Sequence, residues 1–184
     1  MAWSMGLLGA ALSGAAGAYD LIETVEFDGS EGLVFTNIPQ TYQHLELRWR
    51  CRSNSTSTGT TGVLLRPNNF SGSTYTRHSL YGQGSSVVST ASTADSSMFV
   101  GPLVRDGNTA NIFSAGVTSI LDYTSTTKFK TVRSLAGVNG GVNNEEIGLY
   151  SGLYQETNAI EDLTFISGTA AFLAGSSASL YGIR

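Results

Sequence analysis

Charge is what this sequence has least of: Asp, Glu, Lys and Arg together make up 13% of its 184 residues, about half of the roughly 25% usual in soluble domains. Ten basic residues against fourteen acidic ones leave a formal net charge of −4. That balance disfavours nucleic acid as a partner, because such binding depends on Lys and Arg neutralising phosphates. Cysteine is nearly missing as well. The single Cys51 excludes an internal disulfide framework, and its place in an apolar run suits a small core hydrophobe. Only two histidines occur, His44 and His78, and they do not form a pair at metal-ligand spacing, so no metal or other cofactor is expected. No apolar run reaches the ~20 residues of a membrane-spanning helix, and no membrane partner is expected. With 22 glycines and few Lys or Glu, long helices are not expected either.

Ser, Thr, Gly and Asn stand where charge would otherwise be. Hydroxyl-rich positions suit the wet faces of sheets, and they also suit surfaces that meet a neighbouring subunit, where charge is depleted. The opening segment is the oddest part of the chain. Met1 to Ala18 carries no charge, and the first charged side chain is Asp20. It resembles a signal peptide in that an apolar run precedes the small residues Ala16-Gly17-Ala18, but it has no basic start. An apolar segment left free in water is a liability. Residues 1–18 therefore read as an assembly arm, with Trp3, Met5, Leu7, Leu8 and Leu12 as its gripping side chains; packing against its own domain is the alternative.

From Tyr19 onward the chain is a series of short runs separated by turn residues, which predicts one β domain over residues 19–184. His44–Arg52 alternates most strictly: Leu45, Leu47, Trp49 and Cys51 on one side, Glu46, Arg48, Arg50 and Arg52 on the other. That period of two predicts a strand with one buried and one wet face. Further strands are expected at Tyr19–Phe27, Leu33–Ile38, Gly62–Arg66, Thr74–Tyr81, Met98–Val104, Phe129–Val138, Glu146–Tyr154, Ile160–Ser167 and Ala178–Ile183. Ser85–Thr90 is a weaker candidate, and Asn111–Tyr123 is long enough for one bent strand or two. Asp106-Gly107-Asn108 predicts a hairpin turn. Strands at this spacing point to an antiparallel β-sandwich or a barrel.

Catalytic chemistry is thin. A Ser-His-acid triad could assemble from distant positions, yet no nucleophile elbow is present in a strand-to-helix context. Glu145 and Glu146 are adjacent, and neighbours on a strand face opposite ways, so they do not make a carboxylate pair. No catalytic residue is expected, and the chain does not read as an enzyme. The tyrosines admit two readings. Tyr75, Tyr81, Tyr150 and Tyr154 could form a glycan-stacking or interface surface, since Tyr offers an apolar face and a polar tip; core packing is the plainer alternative.

Several runs resemble a family of small structural proteins of tailed bacteriophages. They are Tyr19-Asp20-Leu21-Ile22-Glu23-Thr24-Val25, the stretch from Ile38 through His44 to Arg48, Tyr75 to Gly82, Ile120-Leu121-Asp122-Tyr123, Lys130 to Ser134, and the terminal Leu180-Tyr181-Gly182-Ile183-Arg184. The resemblance implies a virion protein with a jelly-roll-like β-sandwich, and it brings no catalytic residues with it. Two roles follow as expectations. One is a capsid decoration or cement protein, a homotrimer seated on the major capsid protein through its arm and lateral contacts. The other is a tail-fibre or baseplate component that binds host-surface glycans. An esterase or glycosidase would need His44 or His78 beside an acid and a nucleophile in a cleft.

Overall fold

A computed structural model describes residues 17–140 and 145–184. The expected arm residues Trp3, Met5, Leu7, Leu8 and Leu12 lie outside the described residues. Twelve strands form, and no helix among the described residues. In chain order they are β1 (Tyr19–Glu26), β2 (Gly32–Phe35), β3 (His44–Cys51), β4 (Thr60–Pro67), β5 (Tyr75–Gln83), β6 (Ser86–Asp95), β7 (Met98–Val104), β8 (Ser114–Ile120), β9 (Lys130–Asn139), β10 (Glu145–Tyr154), β11 (Leu163–Ser167) and β12 (Ser177–Ile183).

The strands make two antiparallel sheets packed as a sandwich. One has eight strands in the order β1-β12-β3-β8-β9-β10-β5-β6, the other four in the order β2-β11-β4-β7. Over most of the chain successive strands pass from one sheet to the other. The stretches β5–β6 and β8–β9–β10 instead stay within the large sheet, which β5, β6, β9 and β10 widen. Beneath this wider half, β7 of the small sheet packs against β9 and β10.

Alternation along β3 sets which face is buried. Leu45, Leu47, Trp49 and Cys51 are each within 3% of full burial, and the Trp49 ring reaches across the sandwich to Phe165 of β11, 6.4 Å between centroids. Phe165 stacks on Phe172 at 5.3 Å, and Phe172 meets Phe27 at 4.4 Å. Each such side chain contributes about 1.5–3 kcal/mol by leaving water. Trp49 sits directly opposite Gly116 of β8, where a Cβ would fall inside its ring.

Three expectations need correction. Arg52 is not on a wet face: β3 ends at Cys51, the alternation ends with it, and Arg52 is 1% exposed. Asp106-Gly107-Asn108 is not a hairpin turn, because β7 and β8 lie in different sheets. It is a crossover loop, and Arg52 is what organises it. The guanidinium donates through Nε to Asp106 Oδ1 at 3.0 Å and through Nη1 and Nη2 to the carbonyls of Thr109, Ile112, Asp106 and Asn108 at 2.7–3.0 Å. The third correction concerns the tyrosines. Tyr75, Tyr150 and Tyr154 point inward and are at most 4% exposed; Tyr75 stacks on Tyr154 at 5.1 Å. Their rings are not exposed, and of the four only Tyr81 is half-buried.

Candidate interaction surface

Strand pairing places aliphatic side chains side by side on the outer face of the large sheet. Val117 of β8 pairs with Leu135 of β9, Leu135 with Leu149 of β10, and Leu149 with Leu80 of β5. These four form one unbroken row across four strands, because directly paired residues hold their Cβ atoms only about 4.5–5.5 Å apart. They are 41–59% exposed. One step along the strands a second row carries Ile147 and Val87, separated by Gly82, and Ile147 and Val87 are 66% and 79% exposed. Gly137 pairs with Ile147 on its other side, so small residues beside large ones leave the face hollow. The main hollow, about 790 Å³, is lined by Leu80, Val117, Leu135 and Leu149, with His78 and Arg133 at its margin. Two shallower ones of about 460 and 450 Å³ continue over the same face toward β12 and β6.

Water-facing strand positions are normally polar, and a contiguous apolar patch on such a face marks an interaction site. Basic side chains flank the row on both sides. Arg48 pairs with Val117 and Arg50 with Ala115, while Arg133 and His78 flank the row on its other side. Glu46 is committed to Arg48, whose Nε donates to Glu46 Oε1 at 2.8 Å. That bond also holds the Arg48 guanidinium above its usual pKa. The Arg48 guanidinium lies against the rings of Tyr181 and Tyr19, at 4.7 and 5.0 Å, which bolts the β1 edge to the body of the sheet.

The edges of the large sheet differ. β1 carries Asp20, Glu23 and Glu26, charges that discourage edge-to-edge pairing. β6 runs ten residues with a single charge, Asp95, at its end.

A second depression of about 370 Å³ opens between the sheets, lined among others by Thr60, Thr61, Arg77, Tyr81, Glu146 and Tyr150. Tyr150 donates its phenol proton to Glu146 Oε1 at 2.6 Å. Burial pushes the Glu146 carboxyl up, and burial together with that carboxylate pushes the Tyr150 phenol up.

The histidines and the cysteine are placed apart. His44 Nδ1 accepts the backbone N–H of Asp122 at 3.0 Å, and the Asp122 carboxylate bridges to Lys128 at 3.1 Å. His78 Nε2 lies 3.1 Å from Ser89 Oγ on the exposed face. Four strand spacings separate β3 from β5, about 19 Å, so the two histidines share no site. Cys51 is buried, and desolvation pushes its thiol pKa well up. Among the described residues no three of His, Cys, Asp and Glu gather as metal ligands, and no helix is long and apolar enough to cross a membrane. Lys130 is fully buried, its ammonium donating to the carbonyls of Ser125, Thr157 and Asn158 at 2.6 Å each. It ties the 121–129 and 155–159 loops together, and its burial lowers its pKa.

The aliphatic row was not among the residues singled out from the sequence. Its clearest signal lies in β10, which is apolar in both phases. Tyr150 and Tyr154 occupy one phase of β10 while Ile147, Leu149 and Leu153 occupy the other. A strand apolar on both faces expects cover on both.

Compared with protein-family models, curated proteins and solved structures, the chain matches none of them.

Proposed function

We propose that this protein is a structural subunit of a phage virion, a capsid decoration or cement protein that acts as a homotrimer and is held by its N-terminal arm and lateral contacts. The observation that carries this reading is the uncovered aliphatic row Val117–Leu135–Leu149–Leu80. A sheet face of that kind needs a partner, and its chemistry is packing rather than catalysis. Strand order supports the reading. Leaving aside the β5–β6 and β9–β10 pairs, the sheets run β1-β12-β3-β8 and β2-β11-β4-β7, an order that supports a jelly-roll-like reading of the sandwich. Jelly rolls recur in viral capsid and lectin domains, an argument by analogy of fold and not of site. The bacteriophage family that the strand sequences resemble points the same way.

A second reading, a tail-fibre or baseplate component that binds glycans, draws on the polar depression with Arg77, Tyr81 and Glu146. It has lost Tyr75, Tyr150 and Tyr154 as surface groups.

Copy number in purified particles tests the proposal. Hundreds of copies per particle, as repetition over a symmetric shell requires, support decoration. About three to a few dozen copies, the range set by the symmetry of a tail, favour the glycan-binding reading. Absence from particles overturns both.

A further inference from the structure

We infer that the hollow on the outer face of the large sheet is the seat for the uncharged N-terminal segment, residues 1–16, of a second copy of this chain. The inference deepens the assembly reading and rests on it.

Two observations converge. The hollow is aliphatic, made by Leu80, Val117, Leu135 and Leu149, all at least 41% exposed. The same chain carries, ahead of its first strand, a stretch with no charged side chain before Asp20 and with Trp3, Met5, Leu7, Leu8 and Leu12 within it. Such a segment gains by leaving water, and it matches the hollow in chemistry.

Charge argues for this occupant over the same face of another copy. Stacking two such faces would bring Arg48, Arg50 and Arg133 of one copy toward those of the other, whereas an uncharged segment meets no repulsion.

A second copy's segment fits the assembly reading, because a seat filled from a neighbour links copies, and the start of the chain lies apart from the row. Tyr19 pairs with Ile183, and Ile183 with His44, which puts the start of β1 at the His44 end of the sheet. The aliphatic row lies level with Arg48, four residues further along, or about 13 Å. The Ala18 carbonyl accepts the Arg184 N–H at 3.4 Å, which fixes the start of the described chain at this end of the sheet. The residues ahead of Gly17 have the length to reach a neighbour at up to about 3.3 Å per residue.

Cysteine pairing in the full-length protein tests this. Cys51 is buried and stays in place. Leu8→Cys is made in one population and Leu149→Cys in another, the two differing in affinity tag. On mixing and mild oxidation, a disulfide-linked dimer carrying both tags is expected, with far less from either population alone. A chain bearing both substitutions that closes only on itself, running as a monomer at every concentration, would place the segment on its own molecule and overturn the inference. No cross-link in either format would do the same. A second variant, Leu135→Glu with Leu149→Glu, changes two exposed side chains and should leave the circular dichroism spectrum unchanged. It should weaken self-association in sedimentation at least tenfold; association equal to that of the unaltered chain would count against the seat. Copy number in particles is independent of these readouts, so a failed cross-link in a protein abundant on particles removes the seat and leaves the virion reading standing.

Discussion

At the scale of the residue, Trp49 joins the two sheets. Its ring lies over Gly116, touches Phe165 across the core, and donates its indole N–H to Thr118 Oγ1 at 3.3 Å. Trp49→Ala would leave a cavity that the closely packed glycine cannot fill. The expected loss is about 3–5 kcal/mol of unfolding free energy, read from urea denaturation; a loss under about 1 kcal/mol would mean that the ring contributes little to the core. The fully buried cations follow a different logic. Arg52 and Lys130 do not pack as hydrophobes but satisfy loop carbonyls that no ladder reaches. Their positions in the sequence look like ordinary strand or turn positions, and nothing local marks them as interior.

At the scale of the element, the crossover from β7 to β8 shows why a turn signal is not a hairpin. Asp106-Gly107-Asn108 bends the chain as its residue types require, yet the strands on either side pair with different partners. What holds the loop is remote in sequence, five N–H groups of one guanidinium. Arg52→Ala should therefore cost about 3 kcal/mol or more, since buried hydrogen bonds to a charged group are worth roughly 1.5–3 kcal/mol each and their carbonyls would be left unpaired. Hydrogen exchange offers a local check: the amides of residues 105–113 should exchange faster, while those of β9 and β10 change little. Exchange rising uniformly over the chain would instead make Arg52 part of the global core. The β5–β6 and β9–β10 pairs illustrate the same point. Each closes locally, β5–β6 through a two-residue turn at Gly84-Ser85 with Gly84 at φ 55°, but together they carry most of the exposed aliphatic row.

At the scale of the whole molecule, a sandwich filled with phenols should be sensitive to alkali. Tyr75, Tyr123, Tyr150 and Tyr154 all have their pKa raised, first by burial, and the Cys51 thiol is raised for the same reason. A group whose folded pKa exceeds its unfolded value stabilises fully below the unfolded value and loses that contribution as pH rises through the folded one. The window opens near pH ~9 for the thiol and ~10 for the phenols, and each group costs about 1.4 kcal/mol per pH unit inside it. Lys130, lowered by burial, acts in the opposite sense, but it is one group against five. The urea midpoint should stay level through neutral pH and fall steeply above about pH 10. A midpoint that holds to about pH 11 would show that the phenols titrate freely.

The division between what was legible in the sequence and what was not follows from the range of the interactions. Period-two alternation, glycine-rich turns and scarce helix formers are local, and they determined by themselves that the chain is all-β, a sandwich or a barrel, with Leu45, Leu47, Trp49 and Cys51 facing in. Whether a side chain in an apolar phase is covered depends on which strand lies above or beside it. Only the tertiary structure could decide that Tyr75, Tyr150 and Tyr154 are interior, that Arg52 is a loop's anchor, and that Leu80, Val117, Leu135 and Leu149 stand side by side in water. Four residues from four strands make one surface only through register, and register is set by pairings between residues that lie far apart in the chain.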